Sequence, residues 1–215
     1  MVAADLADVA GLQRVEALLS AERDIGMLVN CAGLGALGMA AQVDAGEVDR
    51  MVLVNIHALT RLSLAAARRF AAGGRGTLIN IGSILAVMPV PGAASYGASK
   101  AYVLNLTRSL QAELASSGVM VQAVMPSLVH SEFFGGKPAP FPEHLFMSPE
   151  TLVDTALAAL DQGEAICFPT LQDMAVWKDF DAARAGLATA LTQGGTPAAR
   201  YGVAEAETQT EAMPS

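Results

Sequence analysis

The sequence predicts an α/β fold, a parallel sheet covered by helices on both faces, and three observations carry that expectation. The runs at residues 25–31, 77–81 and 119–125 are apolar almost throughout rather than alternating, as strands buried on both faces are. Longer stretches of helical periodicity separate these runs along the chain. Hydrophobic residues make up 53% of the 215 and charged residues 16%, which suffices for one substantial core and lies far from the composition of a disordered chain.

In chain order, residues 2–6 read as a short strand. Residues 9–21 follow as a helix on which Leu12, Val15, Leu18 and Leu19 form the apolar stripe. Residues 25–31 are a strand. Residues 43–50 and 51–72 read as a short helix followed by a long one, stopped by Gly73-Gly74-Arg75-Gly76. Residues 77–81 form a strand closing at Gly82, residues 95–116 a helix and residues 119–125 a strand. A helix over 151–161, a strand over 165–168 and a last helix over 174–192 complete a single domain of residues 1–193. The polar residues 194–215 read as a frayed tail.

Composition narrows the function classes. A net charge of −8 without any Lys/Arg cluster argues against nucleic acid and anionic membranes as partners. No apolar run approaches the ~18 residues of a membrane span, and no basic stretch precedes an apolar segment at the N-terminus, so a cytoplasmic protein is expected. Cys31 and Cys167, far apart in apolar surroundings, read as buried reduced thiols. His57, His130 and His144 share no ligand spacing, and no metal is expected.

Chemistry is concentrated in one stretch. Tyr96 and Lys100 are four residues apart, hence on one face of a helix, and Ser83 sits at the end of a strand. A tyrosine with an ordinary pKa of about 10 is a poor base at neutral pH, and an ammonium one turn away favours its phenolate. A nearby serine hydroxyl can hold the oxygen of an alcohol or carbonyl within reach of the phenol.

Ser83, twelve residues, then Tyr-x-x-x-Lys resembles the active-site signature of the short-chain dehydrogenase/reductase family. Other landmarks follow in that family's order. Leu28-Val29-Asn30-Cys31-Ala32-Gly33 is similar to its Asn-Asn-Ala-Gly strand end, with Cys31 in place of the second asparagine, and Asn55 matches the asparagine of its catalytic tetrad. Residues 125–131, with Pro126, Val129 and Ser131, resemble its Pro-Gly-x-Val-x-Thr segment, although Ser127 replaces the glycine. Asp5-Leu6 is similar to its adenine-contacting pair.

The resemblance, over residues 1–190, implies a doubly wound Rossmann-type sheet and reversible hydride transfer between NAD or NADP and a carbonyl/alcohol pair. It implies catalytic roles for Asn55, Ser83, Tyr96 and Lys100. Asp5, Leu6, Asn30, Ala32, Gly33, Tyr96, Lys100, Pro126, Val129 and Ser131 would contact the cofactor. The family's Gly-rich turn after the first strand has no counterpart here. Gly33-Leu34-Gly35-Ala36-Leu37-Gly38 fits G-x-G-x-x-G but follows a later strand of the family's order. The expected fold is therefore truncated at its N-terminal edge, with residues 2–6 either pairing beside residues 25–31 or loosely attached. A non-catalytic or fragmentary homologue acting as a subunit partner is the alternative reading.

Four of the seven phenylalanines lie between Phe133 and Phe146, in a Gly- and Pro-containing stretch that reads as a loop covering a hydrophobic substrate. The Ala- and Leu-rich helices at 51–72 and 95–116 carry more apolar surface than one sheet face needs. In the resembled family they pack against their copies, so a homodimer or homotetramer is expected.

Overall fold

The computed structural model describes residues 1–22, 24–134 and 141–203. The centre of the expected loop (135–140) and most of the expected tail (204–215) lie outside the described residues. Two compact units are present, Met1–Thr170 and Leu171–Ser215.

The first unit carries a four-stranded, wholly parallel sheet in the order β1-β2-β3-β6. Its strands are β1 (Met27–Asn30), β2 (Gly76–Ile81), β3 (Val119–Val124) and β6 (Ile166–Cys167). Successive residues of β2 serve opposite faces. Leu78 packs with Ala67, Leu110 and Leu114 of helices α3 (Leu59–Gly73) and α4 (Ala94–Leu114), while Ile79 packs with Ala156 and Ala159 of α5 (Pro149–Asp161). Helix α1 (Val9–Ala21) buries Leu12 and Leu19 against Ala58, Leu62, Ala66 and Phe70. Each such fully buried aliphatic side chain contributes about 1.5–3 kcal/mol. The doubly covered parallel sheet expected from the sequence is thus present.

Local chemistry sets the helix ends. Asp8 accepts the Gly11 N–H at 2.8 Å to start α1, and Ser148 accepts the Thr151 N–H at 3.1 Å ahead of Pro149 to start α5. Gly74, at φ 65°, ends α3 in the left-handed region that glycine tolerates best. The two helices expected at 43–50 and 51–72 form one run instead. Helix α2 (Ala45–Val52) continues through a π-helical turn, Leu53–Ala58, into α3.

Residues 2–6 form no strand. Asp5 opens the turn into α1: its carboxylate accepts the Ala7 N–H at 2.9 Å and its carbonyl the Asp8 N–H at 3.2 Å, while Val2, Ala4 and Leu6 face β1 across a cavity and pair with no strand among the described residues. Leu6 packs on the α1 core instead. Among the described residues β1 is therefore an edge strand, with Met27 and Val29 exposed. A cavity of about 260 Å³ lies beside it, lined among others by Val2, Leu6, Val29 and Cys31. Two short strands absent from the sequence reading, β4 (Leu128–Val129) and β5 (Phe146–Met147), pair in parallel and clasp the two ends of the phenylalanine-rich stretch.

The second unit carries α6 (Met174–Leu191), started by Asp173, with Trp177 stacked on Phe180 at 5.5 Å between ring centroids. Among the described residues no helix is long and apolar enough to cross a membrane.

Candidate active site

The connections leaving β1, β2 and β3 gather at one end of the sheet, the carboxyl ends of its strands, where open parallel sheets place their ligands. After β2, Ser83 accepts the Leu85 N–H at 3.2 Å and starts a single 3-10 turn, Ile84–Ala86, which holds the buried serine at the strand end. Pro126, just past β3, is itself buried, and its carbonyl accepts the Ile84 N–H at 3.0 Å, joining the two strand ends. Helix α4 places Tyr96 in its first turn and Lys100 one turn later. The Ser83 side chain stands close enough to the Tyr96 phenol to hold back part of the rise in its pKa.

Lys100 is 5% exposed and donates from Nζ to the Ile81 carbonyl at 2.9 Å. Its ammonium lies 5.7 Å from the centroid of the Tyr96 ring. Burial lowers the Lys100 pKa to about 8, with the Cys31 side chain offsetting part of the shift. For Tyr96 the sequence-based expectation of a lowered pKa is corrected. Burial raises it, the Ser83 side chain offsets only part of that rise, and the ammonium that was to favour the phenolate is anchored on the backbone beside the ring.

Asn55 sits buried in the π-helical turn. Its Oδ1 accepts the Leu34 N–H at 2.8 Å, and its Nδ2 donates to the Leu34 carbonyl at 2.9 Å and to Ser99 Oγ at 3.2 Å. Ser99 in turn donates to the Tyr96 carbonyl at 2.7 Å. One amide therefore ties the loop after β1 to the first turn of α4. Gly33 lies over this group, for a side chain added there would come within 3.6 Å of both Lys100 Nζ and Asn55 Oδ1.

Beneath lies a buried polar relay. Asn30 Nδ2 donates to Asn80 Oδ1 at 2.8 Å and to Ser63 Oγ at 3.0 Å, and Asn80 Nδ2 donates to Thr107 Oγ1 at 2.9 Å. Thr107 Oγ1 donates to the Val103 carbonyl at 2.7 Å. These bonds fix β1, β2, α3 and α4 in one register directly under the site.

The remaining predicted residues are more dispersed. Ala32 is exposed in the loop after β1, and Val129 is half-buried in β4. Exposed Ser131 accepts the Phe133 N–H at 3.3 Å. Asp5 is bound elsewhere, in an ion pair with Arg50 at 3.0 Å, and Leu6 lies in the α1 core. Cys31 is exposed rather than buried, because it continues the exposed side of the edge strand that Met27 and Val29 occupy. Cys167 is buried as expected, its thiol pushed up to about 11 chiefly by burial.

Several participants escaped the sequence reading. Ser99, Ser63, Asn80 and Thr107 are all buried polar groups, and Asn80 could have been suspected as an amide inside an otherwise apolar strand. Phe133 and Gly35, read in the sequence only as part of a covering loop and of a G-x-G-x-x-G match, meet at the site. The Phe133 ring lies 5.1 Å from that of Tyr96, tilted by 60°, and its tip occupies the space where a Gly35 side chain would stand.

Residues 1–139 match the model of the short chain dehydrogenase family. The 2-(S)-hydroxypropyl-CoM dehydrogenase 3 of Xanthobacter autotrophicus is 37% identical over 122 residues, covering 55% of this chain and 48% of that protein. The chain spans about half the length of the curated relatives it matches. Two solved structures are similar over most of the chain. The short-chain dehydrogenase from Sphingobium yanoikuyae, in complex with NADPH, is 39% identical with a TM-score of 0.86, covering 91% of this chain and 77% of its own. The bulky-bulky ketone specific alcohol dehydrogenase from Comamonas testosteroni is 38% identical with a TM-score of 0.84, covering 93% and 76%.

Proposed function

The chain belongs to the short-chain dehydrogenase family, whose model spans residues 1–139, and on that premise we propose an oxidoreductase that interconverts a hydrophobic ketone and its alcohol with NAD or NADP. The observation that supports it best is the Ser83–Tyr96 hydroxyl pair beside the buried Lys100. Ser83 would hold the carbonyl oxygen, and Tyr96 would deliver the proton to it as the alcohol forms. A buried phenol with a raised pKa stays protonated at neutral pH, which is the state a proton donor needs. Asn55 and Ser99 would hold the first turn of α4, and with it Tyr96, in place.

The donor set fits the nicotinamide half of a dinucleotide. Lys100 and Tyr96 would face the ribose under Gly33, with Asn30, Ala32, Pro126, Val129 and Ser131 around it. When bound, the cofactor supplies the hydride. The pyrophosphate half finds less support, since helices α1 and α2 are both capped by aspartates, Asp8 and Asp44, each of which accepts one of the first-turn N–H groups and places a negative charge there. Asp5 and Leu6 would serve the adenine only after Asp5 leaves Arg50.

A hydrophobic substrate is supported by the apolar rim. Leu34, Leu37, Met88 and Val90 are exposed on the loops after β1 and β2, which are joined by a 2.8 Å bond from Gly38 N to the Gly92 carbonyl. The reading includes self-association into a homodimer or homotetramer through α3 and α4, and a cytoplasmic location.

Turnover of an aryl alkyl ketone with NADPH or NADH tests the reaction. Tyr96→Phe should lower kcat by about 10²–10⁴-fold while cofactor affinity, followed by fluorescence, is kept. A variant retaining most of the rate would refute the assignment. The aspartate caps favour a second reading, a non-catalytic subunit partner, which predicts that neither nucleotide binds at millimolar concentration.

A further inference from the structure

We infer that Phe133 is the movable wall of the substrate pocket and sets the bulk of the apolar group a ketone may carry, an inference that rests on the oxidoreductase reading above. The Phe133 ring bridges two segments of different origin, the loop after β1 and the 3-10 turn after β4 (Glu132–Phe134). On one side it lies against Tyr96, with centroids 5.1 Å apart and planes at 60°, within the range of favourable tilted ring pairs. On the other side its tip rests on Gly35. A Cβ at that position would stand 2.5 Å from Cζ and 2.9 Å from a Cε, so only glycine leaves room for the ring.

The two supports differ in rigidity. Gly35 follows Leu34, whose N–H and carbonyl are both held by Asn55 at 2.8 and 2.9 Å. Phe133 stands in a single 3-10 turn, where its N–H donates to Ser131 Oγ at 3.3 Å. When the wall yields, the ring moves and the glycine seat stays. A carbonyl oxygen bonded to Ser83 and Tyr96 fixes its carbon within about 3–3.5 Å of the reacting groups, so a large substituent on that carbon must press on the ring beside Tyr96. A methyl group passes under it.

The test uses the parent chain, Phe133→Ala, Gly35→Ala, the double variant and Tyr96→Phe, with NADPH and ketones graded from acetone to benzophenone. Phe133→Ala should raise the kcat/KM ratio of the bulkiest to the smallest ketone by about tenfold, mostly through KM. Gly35→Ala should impair the parent but be nearly neutral in the Phe133→Ala background, because the three atoms nearest the added Cβ all belong to that ring. A readout independent of turnover is the absorbance titration of tyrosinate, with Tyr96→Phe identifying Tyr96 among the three tyrosines. Removing the ring admits water to the hydroxyl and should move the Tyr96 midpoint down toward about 10. An unchanged substrate ratio, or equal damage from Gly35→Ala in both backgrounds, overturns the inference. A parent without turnover overturns the functional reading and the size claim with it, and differs from a failure of Phe133 alone because the tyrosine midpoint would still move.

Discussion

Lys100 carries a charge into a place where little water follows, and its ionisation should be measurable in stability as well as in rate. Its pKa falls from 10.5 unfolded to about 8 folded. A lysine depressed in this way costs stability while both states are protonated, below pH 8. That cost is relieved as pH rises from about 8 toward 10.5, where the unfolded chain binds more protons than the folded one. The full relief is about 3 kcal/mol. We therefore expect the unfolding free energy of the parent to rise relative to that of Lys100→Met between pH 7 and pH 10, read from urea transitions. A difference independent of pH would show that Lys100 titrates as in water. The Ser83, Tyr96, Lys100 set is readable in the sequence because a strand end and one helical turn fix it. The direction of the Tyr96 shift is not. It depends on burial in a site that Phe133 helps to close, and no local spacing places Phe133 there.

Among the elements, β1, β2, α3 and α4 are held in register by amides and hydroxyls rather than by apolar packing alone. Asn80 is the hub: its Oδ1 accepts from Asn30, its Nδ2 donates to Thr107, and it is fully buried. Asn80→Ala leaves Asn30 and Thr107 with unmet bonds in the core and should cost about 2–4 kcal/mol in chemical denaturation. Combined with Asn30→Ala the losses should fall short of additivity, since the same bond is removed twice. A loss well below 1 kcal/mol for Asn80→Ala would mean that water satisfies the network. The long elements were legible in the sequence from their apolar periodicity. The π-helical turn at Leu53–Ala58 was not, because residue types there suit an α-helix equally well and only the demand of Leu34 on Asn55 distinguishes the two. Strands β4 and β5, two residues each, are too short for any period to show. Residues 2–6 have strand-like composition, yet a strand needs a partner in hydrogen-bonding reach, and a cavity lies between this segment and β1.

At the scale of the molecule, the outer faces of the long helices leave Val52, Leu53, Leu64 and Tyr102 exposed, and Thr60 Oγ1 meets the Tyr102 hydroxyl at 2.9 Å across α3 and α4. A two-fold contact through these helices would cover them. Light scattering at micromolar concentration should therefore give a dimer or tetramer mass, and Leu64→Arg should shift it toward the monomer. A monomer mass for the parent removes the claim.

The bare flank of β1 bears on how that measurement behaves over time. Met27 and Val29 project from an edge whose outward N–H and carbonyl groups have no strand beside them among the described residues. Association through helices saturates at a fixed stoichiometry and reverses on dilution. Growth from a strand edge has no such end point: each added strand presents a fresh edge, so mass increases with time, its rate climbs steeply with concentration, and dilution recovers little. Concentration jumps in both directions thus separate an assembled oligomer from a sample that is simply being lost.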